Sequence, residues 1–538
     1  MATQVDSTST TTADQLTPVL SSKYALRWQH AVLCSFYALL FLYLSYIPLP
    51  VAGTWLHTSW GKWMLDHRAL PSEDPFLPLA KGMTTINSSW LSHVMIAKVE
   101  AIGGAEVLTS LVACSVLATM IVWGRTFYLQ TGAKRFALLG LLLIVGLSLG
   151  PLSLLQPQVF GGLCLALLIW MLGPIRSDFG LTYEAGDVPL GWRWVAVPLL
   201  MIVWCNLDGS WLLGMVVLAC HAIGRFCDVV WQSRSFTKAS LDKSFQRAVW
   251  LGELALIATL LNPLGLDLWA HAIRWTNNPF WQAAGDFRPV ILTSWYGIRF
   301  AIIGAVCLVA LRHSRRRVSA IDCLLITVSS IGFLCNTNLL IWFAPVAAYV
   351  MVPHLAEIYR RSGFALTARL SSGDDDESAD GSVRFAFSLV CLLIVWCGFA
   401  LSPASSPLLG GKPRKRDHVY QSQTPWTVSE YLTANPPTGL VWAPADWSDW
   451  LVWTSSAELK VYTTSSTYHL PKQARFDYAQ VFRAEGNWQR TLDRYAVGML
   501  VVDKQRQKPL LSAALRAGDN WSIAFEDEQA LVLKRRES

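Results

Sequence analysis

Long apolar runs alternate with short polar stretches along the chain from about residue 30 to residue 402. A helix needs about 20 apolar residues to cross a bilayer, and several of these runs are shorter than that. With boundaries good to a few residues, the pattern marks eleven apolar segments: 30–48, 104–124, 136–153, 159–174, 193–206, 211–231, 248–262, 298–311, 320–336, 338–353 and 384–402. We therefore expect an α-helical polytopic membrane protein with about eleven transmembrane helices.

The apolar pattern stops after residue 402, and a region of ordinary soluble composition follows. Strand-like runs alternate there with helix-like ones: "GLVWAP", "LKVYTT" and "GMLVVD" against "PWTVSEYLTANPP", "NWQRTLDRYAV" and "PLLSAALRAG", before a predicted hairpin in "WSIAFEDEQALVLKR". The alternation predicts a mixed sheet covered by helices. We expect a disordered cytoplasmic tail over 1–28, a transmembrane domain over 29–402 and an α/β domain over 403–538.

Composition supports a membrane protein. Hydrophobic residues make up 53% of the chain and charged residues 15%, whereas about 25% of a soluble domain is charged. No Cys-x-x-Cys pair or His/Cys cluster has metal-ligand spacing, so we expect neither a zinc site nor a disulfide framework. The net charge of +7 does not require a nucleic-acid partner, because the distribution of the basic residues among the loops accounts for it.

Lysine and arginine are divided unequally between the two alternating sets of loops. One set holds twenty and the other seven, so the first set is predicted to face the cytoplasm. With eleven spans and a cytoplasmic N-terminus, the C-terminal domain lies outside. The long loop 49–103 and the turn 205–210 share that extracytoplasmic face, which is the periplasmic face if the cell is of the Gram-negative type.

The loop 49–103 contains an unusual stretch, "GTWLHTSWGKWMLDHRALPSEDPF" at 53–76, followed by "NSSWLSHV" at 87–94. The first stretch is too polar for lipid and too aromatic for an ordinary connection. We predict that it lies along the outer interface and roofs a substrate cavity. Its aromatic side chains would sit at the headgroups, while Asp74 and His57 face inward.

These stretches resemble the first outer loop of the bacterial GT-C glycosyltransferase superfamily. Further resemblances follow in the family's order, in "WCNLDGSWLLG", "LLNPLGLDLW", "TVSEYL", "DWSDWLVW" and "LDRYAVGMLVVD", and they extend from about residue 30 to residue 536. The resemblance implies a GT-C fold. It also implies inverting transfer of a sugar from a polyprenyl-phosphate carrier to a glycan or lipid acceptor at the outer face of the membrane.

The sequence departs from the family pattern at several chemical positions. Gly53 stands where the family has its leading acidic residue, and Leu56 replaces a tryptophan. Ser88 and Ser89 replace a His-Glu pair, and Asp208 replaces the histidine of an Asn-Leu-His-Gly turn. The outer domain reads "TTSST" where relatives have Asp-Gly-Arg. Either another acid serves in catalysis or the chemistry has been lost.

Two residues are the candidates for catalysis. Asp74 suits a general base or a cation ligand, although an aspartate before proline is also a common turn residue. His57 suits phosphate binding or proton transfer, and an interfacial histidine bonded to a carbonyl is the alternative. Asp66 is expected on the solvated face of a short amphipathic helix.

A second group of residues is predicted to bind substrate. Aromatic rings stack on sugar faces, and arginines bind phosphate. The alternatives are interfacial anchoring for the tryptophans, helix capping for the aspartate and surface ion pairs for the arginines. The group comprises Trp55, Trp60, Trp90, Asn206, Asp208, Arg274 and Arg288.

Three functions remain open on the sequence. The first is a membrane glycosyltransferase, and the second is an inactive relative that acts as a scaffold or glycan-binding protein. The third is a transporter, which the lack of internal repeats and the scarcity of charge within the spans disfavour. The sequence identifies neither sugar nor acceptor, and it leaves open whether a divalent cation is a cofactor.

Overall fold

A computed structural model describes residues 26, 28–173, 191–276, 289–362, 381–412, 414–455, 459–518 and 520–536. The predicted tail lies almost wholly outside these residues, as does Arg288.

Each of the eleven apolar segments lies largely within a helix. The helices up to residue 400 are α1 Trp28–Tyr46, α2 Thr54–His67, α3 Trp90–Thr131, α4 Lys134–Leu152, α5 Gln158–Leu172, α6 Arg193–Leu207, α7 Trp211–Ser233, α8 Phe236–Ser240, α9 Lys243–Ala258, α10 Leu266–Thr276, α11 Trp295–His313, α12 Ala320–Cys335, α13 Leu340–Arg361 and α14 Gly381–Ala400. The chain is thus a mostly helical, multi-pass membrane protein, and eleven crossings remain a prediction.

Among the described helices, six are long and apolar enough to cross a membrane: α1, α3, α4, α7, α11 and α13 with the turn before it. Shorter apolar helices are α5, α6, α12 and the part of α14 over Phe387–Ala400. Such short helices can still cross if the bilayer thins or neighbouring helices surround their ends.

The long helix α3 is broken near its first third. Gly103 and Gly104 have non-helical backbone angles, and Gly104 has φ 63° and ψ −157°, a region essentially restricted to glycine. The break separates the turns that carry Trp90 and His93 from the long apolar part, which is a candidate membrane span. The predicted crossing from residue 104 therefore begins at this break.

The C-terminal region contains a four-stranded sheet with strands β1 Leu440–Trp442, β2 Val497–Asp503, β3 Trp521–Glu526 and β4 Ala530–Arg535. The order is β1-β2-β4-β3, with β1 parallel to β2 and the other pairs antiparallel. The predicted hairpin is present as β3 and β4. The run "LKVYTT" forms only an isolated bridge, between Val461 and Val441.

Helices cover this sheet and connect it to the membrane part. They are α15 Ser406–Leu409, α16 Arg416–Val419, α17 Trp426–Ala434, α18 Ala445–Thr454, α19 Lys472–Phe482, α20 Trp488–Arg494 and α21 Lys508–Arg516. The sequence predicted α17, α20 and α21, and it did not mark α18 or α19. We refer to this region as the outer domain, after the location that the sequence predicts for it.

Aromatic packing joins the outer domain to α2. Trp55 is fully buried, with its ring centroid 4.4 Å from that of Trp453 and 5.0 Å from that of Trp450. Beside them, the backbone N–H of Leu49 donates to the carbonyl of Val419 at 2.8 Å. Because one set of buried apolar side chains runs through both regions, α2 is held between the membrane helices and the outer domain.

Candidate active site

A chain of hydrogen bonds fixes the tautomer of His57. The backbone N–H of Ser89 donates to Asn87 Oδ1 at 3.1 Å, which leaves the Asn87 amide N–H group to donate to His93 Nδ1 at 3.0 Å. His93 Nε2 therefore carries a proton and donates it to His57 Nδ1, 3.0 Å away. By this logic His57 carries its own proton on Nε2.

Burial keeps the His57 ring neutral. Loss of solvation lowers the pKa of His57 from 6.5 to about 4, because the charged imidazolium is poorly solvated there. A neutral ring with its proton on Nε2 can donate a hydrogen bond to an oxygen of a ligand. It is a poor general base through that atom.

Gly53 lies beside this donor, in a strained turn. Its φ of 79° and ψ of −57°, with the Thr54 N–H bonded to the Ala52 carbonyl at 3.0 Å, define a γ-turn that residues other than glycine rarely adopt. A Cβ at Gly53 would lie 4.0 Å from His57 Nε2 and 3.5 Å from Gln156 Nε2. The absence of the family's acid at this position thus accompanies a backbone that suits glycine.

The outer domain supplies a carboxylate to the same turn. Asp449 Oδ2 accepts from the Gly53 N–H at 2.7 Å, and Asp449 Oδ1 accepts from the Ser465 N–H at 2.9 Å. Burial raises the pKa of Asp449 from 3.8 to about 7. Asp449 therefore ties α18 to the start of α2.

Asp208 lies at the turn between α6 and α7. Its Oδ2 accepts from the Ser210 N–H at 3.2 Å, and a Cβ at Gly161 would lie only 2.6 Å from that oxygen. Burial raises the pKa of Asp208 from 3.8 to about 6. Among the described residues, only Ser210 and Gly209 contact its charge, and neither is a cation. A buried carboxyl that titrates near neutrality is a strong candidate for acid–base chemistry.

Contacts along the start of α3 connect Asp208 to the histidines. Trp90 Nε1 donates to Asn206 Oδ1 at 2.8 Å, and the Ser92 hydroxyl donates to the Leu207 carbonyl. Ser88, which follows Asn87, lies against Gly209. Its hydroxyl oxygen would be 3.3 Å from a Cβ atom built on that glycine. The turn of α6 into α7 is therefore fixed against the segment that orients His93.

These contacts close into a ring at the outer-domain end of the membrane helices. One side runs from His57 through His93 and Asn87 to the Asp208 turn. The other returns from Asp208 through Gly161 on α5 and the preceding Gln156 to Gly53. We call this group the outer ring, made of Gly53, His57, Asn87, His93, Gln156 and Asp208.

Asp74 lies in a second network beside the outer ring. Its side chain is fully buried: Oδ1 accepts from the Phe76 N–H at 2.9 Å, and Oδ2 accepts from His469 Nδ1 at 2.6 Å. Trp60 lies between this pair and the ring, with its centroid 5.9 Å from His469 and 6.3 Å from His93. Asp74 thus connects the outer loop to the outer domain, and its catalytic role stays a prediction.

The other predicted site residues have diverse settings. Asn206 is buried and also accepts from Asn262 Nδ2 at 3.0 Å, which orders the turn beside Asp208. Trp55 is enclosed in the aromatic cluster with the outer domain, a setting that provides packing. Arg274 falls in α10, and Arg288 lies outside the described residues. Sugar stacking and phosphate binding by these residues remain predictions.

Sequence reasoning did not single out several members of the site. His93 and Asn87 stood within the quoted "NSSWLSHV", but nothing in that stretch indicates that their side chains reach His57. Gln156, Asp449 and His469 come from distant parts of the chain. Among the described residues, no group of three or more His, Cys, Asp or Glu side chains is arranged to hold a metal ion.

No protein-family model matches the sequence, and no curated protein matches it significantly. Two solved structures are similar to the whole fold. ArnT from Cupriavidus metallidurans bound to undecaprenyl phosphate aligns with a TM-score of 0.50 at 13% identity, over 94% of this chain and 98% of that one. The arabinofuranosyltransferase AftD from Mycobacteria aligns with a TM-score of 0.52 at 14% identity, over 96% of this chain and 40% of that one.

The protein has the GT-C fold, which it shares with ArnT and AftD. The fold predicted from the resemblance of the outer loops is therefore confirmed. At these identities the likeness concerns the fold alone, and a GT-C fold does not by itself specify a reaction. The reaction has to be argued from the side chains of the outer ring.

Proposed function

We propose that this GT-C protein transfers a sugar from a polyprenyl-phosphate carrier to a glycan or lipid acceptor at the extracytoplasmic face of a bacterial inner membrane. The observation that carries the proposal is Asp208, a buried carboxyl without a cationic partner among the described residues, held at the outer ring of this fold. The undecaprenyl phosphate in the ArnT structure supports a polyprenyl-phosphate carrier as the donor class.

In the proposed reaction, the Asp208 carboxylate takes the proton from an acceptor hydroxyl. The acceptor oxygen then forms a bond to the anomeric carbon of the sugar, and the bond between that carbon and the carrier phosphate breaks. Polyprenyl phosphate leaves with the electron pair, and the anomeric configuration inverts. With a pKa of about 6, Asp208 is mostly ionised at pH 7 and basic enough to accept the proton.

His57 is proposed to act as a hydrogen-bond donor. Its Nε2–H, fixed by the bonds through His93 and Asn87, would bind an oxygen of the carrier phosphate or of the sugar. A donor that is oriented before the substrate arrives needs no reorganisation as negative charge develops on the leaving phosphate. Arg274 and Arg288 remain the sequence-based candidates for neutralising that phosphate.

A rival proposal is an inactive GT-C relative that binds a glycan without transferring it. The γ-turn at Gly53 supports it, because the family's leading acid is absent and the backbone there suits glycine. The two proposals differ in the role of Asp208. In a scaffold its carboxyl would only order the turn through the Ser210 N–H, whereas in a transferase it would also act as the base. Asp449, which joins α18 to α2, has both oxygens bonded to backbone N–H groups of other segments, whereas the Asp208 bond to Ser210 lies within its own turn.

Transfer of label from donor to acceptor tests the proposal. The full-length protein in nanodiscs would be given a panel of polyprenyl-phosphate sugars labelled in the sugar, together with a membrane extract as acceptor. We expect one donor to yield a labelled acceptor and an equal amount of polyprenyl phosphate. If no donor is consumed but labelled glycans bind, the inactive relative is the better account.

A further inference from the structure

A cleft lies at the end of the helix bundle opposite the outer ring. It has a volume of about 190 Å³, and its walls come from the ends of α3 and α5 and the start of α6. Arg193 begins α6, whose other end leads into Asp208, so the cleft is about 20 Å from the outer ring at 1.5 Å per residue. It is thus separate from the proposed active site.

Arg193 lines this cleft and is 8% exposed. Among the described residues, no carboxylate or other hydrogen-bond acceptor pairs with its guanidinium group. An uncompensated buried charge is strongly unfavourable, so such a group is expected to bind an anion. Arg125, whose side chain is exposed, also lines the cleft.

The cleft also contains an unsatisfied acceptor. Gln130 Oε1 is buried, and no hydrogen-bond donor for it is found in the part of the chain that the structure describes. An anion alone would not satisfy this oxygen, because it needs a donor such as a hydroxyl group. The ligand indicated by these polar groups therefore combines a negative charge with a hydroxyl.

The remaining walls indicate a lipid. Trp170 and Trp192 lie with ring centroids 5.8 Å apart, and Trp192 is 52% exposed. Tryptophans in this setting sit at the headgroup level of a bilayer. Leu129 adds an apolar surface that could contact the start of an acyl chain.

We propose that the cleft binds a glycerol-bearing anionic phospholipid, of the phosphatidylglycerol type, in the leaflet opposite the active site. The phosphate contacts Arg193 and Arg125, and a glycerol hydroxyl donates to Gln130 Oε1. Such a lipid would hold the ends of α3, α5 and α6 together at the face away from catalysis. The proposal does not depend on the proposed transferase activity.

Lipid binding to the full-length protein in a neutral detergent tests this site, with native mass spectrometry and thermal unfolding as readouts. The probes are phosphatidylglycerol, phosphatidylmethanol, phosphatidylcholine and soluble glycerol phosphate. Phosphatidylmethanol keeps the charge without the hydroxyl, and glycerol phosphate keeps the headgroup without the chains. We expect affinity to fall in the order phosphatidylglycerol, phosphatidylmethanol, phosphatidylcholine, and glycerol phosphate to give no protection.

Variants identify the cleft as the site. Arg193→Met should weaken phosphatidylglycerol binding about tenfold or more, since charge-assisted hydrogen bonds are lost. In the absence of lipid, the unfolding temperature of this variant should be no lower than that of the native protein, because the substitution removes an unpaired buried charge. The control Arg317→Met, on an exposed arginine at the same end of the bundle, should bind lipid normally.

A second variant and three contrary results complete the test of the lipid site. Gln130→Leu should abolish the preference for phosphatidylglycerol over phosphatidylmethanol, and it carries the test if Arg193→Met does not fold. Equal binding of phosphatidylcholine would overturn the proposal. Protection by glycerol phosphate would replace the lipid with a soluble anion, and unchanged binding in Arg193→Met would place the lipid elsewhere.

Discussion

At the scale of the residue, the most informative feature is the tautomer of His57, because side chains elsewhere in the chain determine which of its nitrogens carries the proton. Asn87 holds its amide orientation through the Ser89 N–H, and this determines which nitrogen of His93 and then of His57 is protonated. The sequence suggested His57 as a candidate because of its place in the outer loop. Its tautomer depends on contacts that only the folded chain creates.

Replacing Asn87 with aspartate should reverse this tautomer. The carboxylate would accept a proton from His93 Nδ1, so His93 Nε2 would accept from His57 Nδ1 and leave His57 Nε2 bare. Donor binding should weaken about tenfold or more, since a hydrogen bond to a charged group contributes about 1.5–3 kcal/mol. Side-chain ¹⁵N NMR of His57 would check the switch, and an unchanged protonated Nε2 would contradict the proposed chain of bonds.

Asp208 and Asp74 show that a sequence can identify candidate functional carboxyls but cannot decide which of them is free of strong partners. Both were recognised as candidates, and the family pattern favoured Asp74. The structure engages both Asp74 oxygens, with Phe76 and His469, whereas Asp208 has no partner stronger than its own turn. His469 comes from the outer domain, and no local pattern could have indicated that contact.

At the scale of the element, hydrophobic periodicity located the apolar helices well. All eleven predicted segments coincide largely with helices, because long apolar runs have few alternatives in a membrane protein. The predictions were weaker in the outer domain, where α18 and α19 were missed. The tryptophans of α18 pack on α2, and this partner is not visible in a local sequence window.

The break in α3 predicts that alanine substitution affects stability differently at two helical glycines. Gly104→Ala should destabilise the protein by about 1–3 kcal/mol, because a residue with a Cβ is strained at φ 63° and ψ −157°. Gly146→Ala is the control, since Gly146 lies within α4 with open space around it. Thermal unfolding in detergent measures both, and equal effects would mean that the break imposes no strain.

At the scale of the whole molecule, the outer domain and the membrane part share one hydrophobic core and meet at the Gly53 turn. The Asp449 carboxyl at this junction has its pKa raised from 3.8 to about 7. Between about pH 4 and 7 the folded protein keeps the Asp449 proton, whereas the unfolded chain has released it. The contribution of Asp449 to the free energy of unfolding is therefore complete below about pH 4. It declines as the pH rises and is lost above about 7.

Asp449→Asn should therefore change the pH dependence of stability. Relative to the native protein, the variant should gain about 1.4 kcal/mol per pH unit between about pH 4 and 7, with no further gain above that. Comparing the two melting curves at each pH cancels the other titrating groups. A constant difference across this range would show that Asp449 titrates normally.

The orientation in the membrane also belongs to this scale. The excess of basic residues in one set of loops predicts that the outer domain lies outside the cytoplasm. An alkaline phosphatase fusion after Glu537 should be active and a green fluorescent protein fusion dark. The reverse pattern would place the outer ring in the cytoplasm and remove the proposed access to an extracytoplasmic acceptor.

Turnover of a lipid-linked sugar by three aspartate variants tests the central claim most directly. Once the donor is known, we expect Asp208→Asn to lower kcat by about a hundredfold or more, the usual effect of losing a general base, with unfolding temperature unchanged. Asp66→Asn, on an exposed residue of α2, should keep full activity. If Asp74→Asn abolishes turnover while Asp208→Asn retains it, Asp74 is the base and our account of Asp208 is wrong.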